Sequence, residues 1–82
     1  MKTTIEISKY PLIEDYEPPI IDFIARLSLH DDIELKTNAT STHVAGDYDI
    51  VMSVLNKEIK NSFEKFGKSI FVIKVLLGEL DI

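Results

Sequence analysis

The chain is organised around the stretch NATSTHVAGDY, residues 38–48, which joins two halves of similar plan. A strand pattern, a helix pattern and a second strand pattern precede this stretch, and a helix pattern and a long apolar strand pattern follow it. The stretch is also the densest cluster of small hydroxyl and amide side chains in the chain. Because such side chains both build turns and bind ligands, the sequence predicts a turn, a ligand site, or both at this position.

Four segments have the apolar patterns of β-strands. In the first, Ile5 and Ile7 alternate with polar residues, and Pro11, which has no N–H to donate to a sheet, predicts the end of the strand. The second and third could pair as a hairpin around the central stretch. The four predicted strands cover residues 3–10, 33–38, 42–48 and 69–77.

Two further segments have helical periodicity. Pro18 and Pro19 fit the first turn of a helix, which is predicted to end near residues 29–32. The second helix is predicted to begin after Asp49 as its N-cap and to end at Gly67. The order βαββαβ predicts a ferredoxin-like α+β fold, with a four-stranded antiparallel sheet and both helices on one face.

Composition predicts a single domain over residues 1–82 and limits what it binds. Nine basic residues, of which Arg26 is the only arginine, stand against fourteen acidic residues, and this net charge of −5 argues against nucleic-acid binding. No apolar run approaches the roughly 20 residues of a membrane helix, and no apolar signal core follows the N-terminus. The absence of cysteine excludes disulfides and thiolate metal sites and favours a cytoplasmic location.

The last predicted strand is apolar on both faces apart from Lys74. Such a pattern is typical of a strand that is buried on two sides. One of its two alternating sets must then lie on the sheet face that the helices leave open, where an apolar stripe favours contact with another protein surface. We therefore expect a homo-oligomer that packs through the sheet. The two sets are Phe71, Ile73, Val75 and Leu77, and Ile70, Val72 and Leu76.

The sequence contains no strong signature of an enzyme, a metal site or a cofactor site. His30 and His43 fall in different elements, and Ser41 beside His43 is a spacing rather than a catalytic triad. The cluster at residues 30–32, His-Asp-Asp, lacks the ligand spacing of a metal-binding helix. We expect a protein without catalytic residues, metal or cofactor.

The central stretch is the remaining candidate for a binding site. Asn38, Thr40 and Thr42 offer donors and acceptors that suit the edge of a heteroaromatic ring, and Tyr10 and Tyr48 offer flat faces. The alternative is that asparagine and threonine are common in hairpin turns, and on composition alone this alternative is favoured.

The chain resembles the YkoF-like thiamine-binding domain family. The resemblance rests on three segments, which follow one another in the family's order and span nearly the whole chain. They are IEISKYPL at residues 5–12, LKTNATSTHVAGDYD at residues 35–49 and VIKV at residues 72–75.

The resemblance implies a ferredoxin-like fold, assembly into a homo-dimer or homo-tetramer through the sheet, and binding of thiamine or its hydroxymethylpyrimidine moiety. The net negative charge would suit the cationic thiazolium of thiamine. Carried over by position, Tyr10 and Leu12 would form pocket walls, Asn38, Thr40 and Thr42 would read the ligand, and Gly46 would allow its close approach. The alternative is a structural or regulatory oligomer of the same fold with a different ligand or none.

Overall fold

The computed structural model describes all residues from Met1 to Ile82. Six elements follow one another in the predicted order βαββαβ. They are β1 (Lys2–Pro11), α1 (Glu17–Leu27), β2 (Glu34–Thr37), β3 (Thr42–Asp47), α2 (Tyr48–Phe66) and β4 (Ser69–Leu77).

The four strands form one sheet in the order β2-β3-β1-β4, and every neighbouring pair is antiparallel. Both helices contact β1, the strand that lies between β3 and β4. This arrangement confirms the predicted ferredoxin-like α+β fold. Neither helix combines the length and the apolar composition that a membrane crossing requires.

The core lies between the helices and the two central strands. Ile5 and Ile7 of β1 and Val44 of β3 contribute its sheet side, because their register places them on the helix-covered face. Truncation of one fully buried core side chain to alanine should cost about 2–5 kcal/mol. The remaining core side chains are Phe23, Leu27, Val51, Val54 and Leu55.

The start of α2 differs from the prediction. Asp47, not Asp49, is the N-cap, and its carboxylate accepts a hydrogen bond from the backbone N–H of Ile50 at 3.4 Å. The helix begins earlier because β3 ends at Asp47 and the N–H of Tyr48 donates to the carbonyl of Met1 at 2.8 Å. Gly67 ends the helix as predicted.

The prediction that the helices bury one face of β4 is wrong, whereas burial of its open face by a second copy stays a prediction. β4 is an edge strand, and the helices pack mainly over β1 and β3, so most of its side chains are exposed. Only Phe71 reaches the core, where its ring contacts Phe23 and Phe63 at centroid distances of 5.1 and 5.4 Å.

The register divides β4 between the two faces of the sheet. Phe71, Ile73, Val75 and Leu77 oppose the helix-facing residues of β1, whereas Ile70, Val72 and Leu76 lie on the open face. After Gly78 the chain folds across one corner of the open face. There the N–H of Leu80 donates to Thr4 Oγ1 at 2.8 Å, and both Thr4 and its neighbour Ala45 are buried.

Candidate functional site

A concave pocket of about 480 Å³ lies at the end of the sheet where β1 ends and the β2–β3 hairpin turns. The pairing of Ile7 with Thr42 brings the hairpin beside the end of β1, and α1 begins above the same end. The pocket therefore combines side chains from the end of β1, the loop after it and α1 with those of the hairpin, which is distant in sequence. Its apolar wall consists of Ile7, Ile13, Ile20, Phe23 and Ile24.

Four of the six predicted site residues line this pocket. They are Tyr10 at its rim and Asn38, Thr40 and Thr42 in the hairpin. Thr42 is buried, and its hydroxyl lies 3.5 Å from that of Thr37. The fold thus brings together the end of the first strand and the central stretch, as the family resemblance implied.

The other two predicted site residues, Leu12 and Gly46, do not line the pocket. Leu12 is exposed in the loop after β1, where its N–H donates to the carbonyl of Lys68 at 3.1 Å. Gly46 lies at the opposite end of β3, beside Thr3. The space that a Cβ would occupy there is 3.4 Å from Val51 Cγ2, so the missing side chain serves the packing of α2 rather than access to this pocket.

Asn38 has a structural role in the hairpin turn. Its Oδ1 accepts hydrogen bonds from the N–H of Thr40 at 3.0 Å, the N–H of Ser41 at 2.9 Å and the hydroxyl of Thr40 at 3.2 Å. The backbone N–H of Asn38 also donates to the carbonyl of Ser41 at 3.0 Å. The asparagine oxygen therefore closes the turn. Only its amide nitrogen, which forms no hydrogen bond within the chain, remains for a ligand.

Two aromatic side chains face the solvent at the pocket rim. Tyr10 comes from the end of β1 and Tyr16 from the loop before α1, and each is about half exposed. Tyr16 was missed at the sequence level, since its loop contains no repeating pattern from which an orientation can be predicted. Tyr48, which the sequence also suggested, begins α2 at the other end of β3 and does not line the pocket.

The sequence prediction also missed Lys9, which lines the pocket from below α1. Alternation along β1 continues from Ile5 and Ile7 to Lys9, so the side chain of Lys9 lies on the helix-covered face. Its ammonium donates to the carbonyl of Pro19 at 2.9 Å and to the hydroxyl of Ser62. The period-2 alternation of β1 was therefore sufficient to predict that Lys9 lies on this face.

Three aromatic rings surround the ammonium of Lys9. Its Nζ lies 5.4 to 5.5 Å from the ring centroids of Phe23, Phe66 and Phe71, which is within the range of cation–π attraction. Burial lowers the pKa of Lys9, and the nearby carboxylate of Asp22 opposes this shift by stabilising the charged form. Among the residues that line the pocket, Lys9 is the only one with a charged side chain.

Neither histidine lines this pocket, and the two lie in different parts of the molecule. Nε2 of His30 is 2.7 Å from Oε2 of the buried Glu58, and Nε2 of His43 is 3.3 Å from Oε2 of Glu6 on the open face. Burial alone would raise the pKa of Glu58, but hydrogen bonds from His30 and Asn61 outweigh it and lower that pKa. His30 also lines a second, polar cavity of about 420 Å³ between the end of α1 and the start of α2.

Comparison with known proteins supports the fold. No protein-family profile and no curated protein matches the chain. Among solved structures, a Streptococcus pneumoniae protein, SP2199, is 21% identical with a TM-score of 0.87, over 98% of this chain and 90% of that one. A Thermotoga maritima protein, TM0486, assigned provisionally to thiamine biosynthesis or salvage, is 16% identical with a TM-score of 0.88, over 100% of this chain and 91% of that one.

A third similar structure is a domain of unknown function, DUF77, from Bacillus cereus. It is 15% identical with a TM-score of 0.74, over 96% of this chain and 78% of that one. At such low identities the three likenesses show that the chain shares a fold with these proteins, one of which carries a thiamine-related assignment. Membership of the YkoF-like family stays a prediction.

Proposed function

We propose that this protein is a non-catalytic binding protein for thiamine or its hydroxymethylpyrimidine moiety, and that the pocket at the hairpin end of the sheet is its binding site. The observation that carries the proposal is this pocket of about 480 Å³, in which apolar walls meet a cluster of hydroxyl and amide groups. Both its size and its composition are typical of small-molecule sites. The provisional thiamine assignment of TM0486, which has the same fold, adds support.

The polar groups of the hairpin are placed so that they can form hydrogen bonds with the edge of a pyrimidine ring. Thr42 offers a buried hydroxyl, and Thr40 and the free amide nitrogen of Asn38 lie at the hairpin tip. Tyr10 and Tyr16 offer flat faces at the rim, against which a heteroaromatic ring can stack. Such a site can bind and orient a ligand, and no histidine or carboxylate lines it.

The absence of catalysis is part of the proposal and is supported by the positions of the histidines. Neither His30 nor His43 lines the pocket, and each pairs with its own glutamate in a different part of the molecule. His43 directly follows Thr42 in the chain, but its imidazole pairs with Glu6 and does not line the pocket with the hairpin hydroxyls. A cytoplasmic location, predicted from the absence of cysteine, is likewise part of the proposal.

The test is isothermal titration calorimetry of the purified protein with thiamine and with hydroxymethylpyrimidine. We expect micromolar or tighter binding of at least one of them. Asn38→Asp keeps the oxygen that closes the turn and removes the free amide donor, so binding should weaken by about 1–3 kcal/mol. Asn56→Asp is the matched control, because Asn56 lies on the exposed side of α2. Absence of heat with both ligands, or equal effects of the two variants, would contradict the proposed site.

We further propose that the protein assembles as a homo-dimer or homo-tetramer through its sheet. Support comes from the open face, where Ile70, Val72 and Leu76 of β4 are each close to half exposed. Lys74 lies between Val72 and Leu76 on the same face and pairs with Glu6, so a second copy would cover this ion pair together with the apolar side chains. Exposed apolar side chains along one sheet face are typical of a surface that another protein covers.

Analytical ultracentrifugation at micromolar concentration tests the assembly. Ile70→Lys should dissociate the oligomer because it places a charge in the proposed interface. The matched control is Ile21→Lys, since Ile21 is an isoleucine on α1 that is at least as exposed as Ile70. A monomeric wild-type protein would contradict the assembly.

The second candidate function is a structural or regulatory oligomer whose hairpin cluster is only a turn. The observation that favours it is the use of the Asn38 oxygen by three donors of its own hairpin. An oligomer that binds neither thiamine nor hydroxymethylpyrimidine would establish this candidate over the first.

A further inference from the structure

The charge of the pocket differs in sign from the charge of the whole chain. The chain carries a net charge of −5, but the only charged side chain that lines the pocket is the cation Lys9. A bound ligand responds mainly to the nearest and least screened charges, since distant surface charges are screened by water and salt. The net charge of the chain is therefore a poor guide to the charge of the ligand.

The surroundings of Lys9 hold its positive charge in place. The carbonyl of Pro19, the hydroxyl of Ser62 and three aromatic rings all interact favourably with an ammonium. One of these rings, that of Phe23, also lines the pocket. The charge thus lies 5.5 Å from the centre of a ring of the pocket wall, in a partly buried position where its field is weakly screened.

The other charged groups near Lys9 do not reverse this field. On α1, Asp22 accepts from Arg26 of the same helix at 3.1 Å and from Lys65 of α2 at 2.9 Å. The cluster therefore contains three cations and one carboxylate, while β4 contributes only the ring of Phe71.

Acidic residues also occur near the pocket mouth but outside its lining. Glu14, Asp15 and Glu17 belong to the loop after β1 and to the start of α1, and all three are exposed to solvent. Water screens their charges far more than it screens that of the partly buried Lys9.

We propose that Lys9 is a specificity-determining residue, which makes the pocket select an uncharged heteroaromatic ring and discriminate against ligands with a fixed positive charge. This inference rests on the proposed binding function and narrows it. Hydroxymethylpyrimidine, which is neutral, fits the pocket better than thiamine, whose thiazolium is cationic. The expectation that the acidic chain would suit the thiazolium is replaced by the local charge of the site.

The test compares two ligands of nearly equal shape. Hydroxymethylpyrimidine is neutral at pH 7, and its aminomethyl analogue is a cation once its amine is protonated. Calorimetry with the wild-type protein should give at least about tenfold weaker binding of the amine, as expected for like charges in a partly desolvated site. Thiamine, whose thiazolium is also cationic, should likewise bind more weakly than hydroxymethylpyrimidine.

Lys9→Met removes the charge while keeping the length of the side chain, and it should bring the affinities for the alcohol and the amine towards equality. Lys9→Arg keeps the charge and should keep the discrimination. Lys60→Met is the matched control, because Lys60 is an exposed cation of α2 that does not line the pocket.

Each outcome has a separate meaning. Equal wild-type affinity for the alcohol and the amine would overturn the inference but leave the binding function intact, as would an unchanged ratio in folded Lys9→Met. Absence of binding by every ligand would refute the binding function itself. If Lys9→Met does not fold, Lys9→Gln keeps a donor for the carbonyl of Pro19 without the charge and takes its place.

Discussion

Each of the two histidines pairs with a glutamate, but the two pairs differ in their surroundings. Glu58 is almost fully buried, lies 2.7 Å from His30 and accepts a second hydrogen bond from Asn61 at 3.0 Å. Glu6, on the open face of the sheet, is more than a third exposed and lies between His43 at 3.3 Å and Lys74 at 3.4 Å.

Burial determines how much each ion pair contributes to the free energy of unfolding. A buried carboxylate has no water to replace a lost partner, so its hydrogen bonds hold its neighbours in place. An exposed carboxylate exchanges its partner for water at little cost. The buried pair of His30 and Glu58 therefore stabilises the fold, whereas the exposed pair of His43 and Glu6 contributes little to the free energy of unfolding.

The largest effect in this comparison should come from loss of the buried carboxylate. Glu58→Ala leaves the ring nitrogen of His30 and the amide of Asn61 without their partner, and it should reduce the free energy of unfolding by about 2 kcal/mol. Urea denaturation measures this loss. Glu64→Ala makes the same substitution on the exposed side of α2 and should change stability by less than about 0.5 kcal/mol. Equal losses in both variants would show that burial does not separate the two glutamates.

The pH dependence of stability provides a second test of the buried pair. Folding lowers the pKa of Glu58 below its ordinary value of 4.5, so the unfolded chain binds more protons when the pH falls below that value. The contribution of Glu58 to stability is therefore fully present above pH 4.5 and is lost as the pH falls through the folded-state pKa.

Denaturation at pH 7 and at pH 4 should show this loss in the wild-type protein. Glu58→Gln should flatten part of the dependence, while the rest remains because hydrogen bonds from Lys65 and Arg26 also lower the pKa of Asp22 despite the opposing effect of burial. Identical pH profiles for the wild type and Glu58→Gln would contradict the assignment.

Sequence periodicity predicted the fold well because the apolar face of each element repeats with the period of its own structure. The alternation of Ile5 and Ile7 and the helical spacing in α2 each describe one face of one element. Burial of β4 could not be predicted in the same way, since an apolar run looks the same whether helices, a partner or nothing covers it. The position of β4 at the edge of the sheet follows from the strand order β2-β3-β1-β4, which the apolar pattern of β4 does not specify.

The site was predictable only in part. The hydroxyl and amide groups of residues 38–42 marked the hairpin, and the fold brought them beside Tyr10. The use of the Asn38 oxygen within its own turn depends on hairpin geometry, which composition does not specify. The position of Lys9 could have been predicted, because the alternation of β1 places it on the helix-covered face.

The smallest effect should come from the exposed pair, and its size depends on assembly. In a dilute monomer, Glu6→Gln should change the free energy of unfolding by less than about 0.5 kcal/mol, because water replaces its contacts with His43 and Lys74. If the sheet is the interface between copies, assembly removes that water, and the same substitution should cost more as protein concentration rises. Denaturation at two concentrations separates these cases. An effect that stays small at a concentration where ultracentrifugation shows the oligomer would place the interface away from the open face. The pair of Glu6 and His43 would then stay exposed to water in the oligomer, and it would share residue types but no stabilising role with the buried pair.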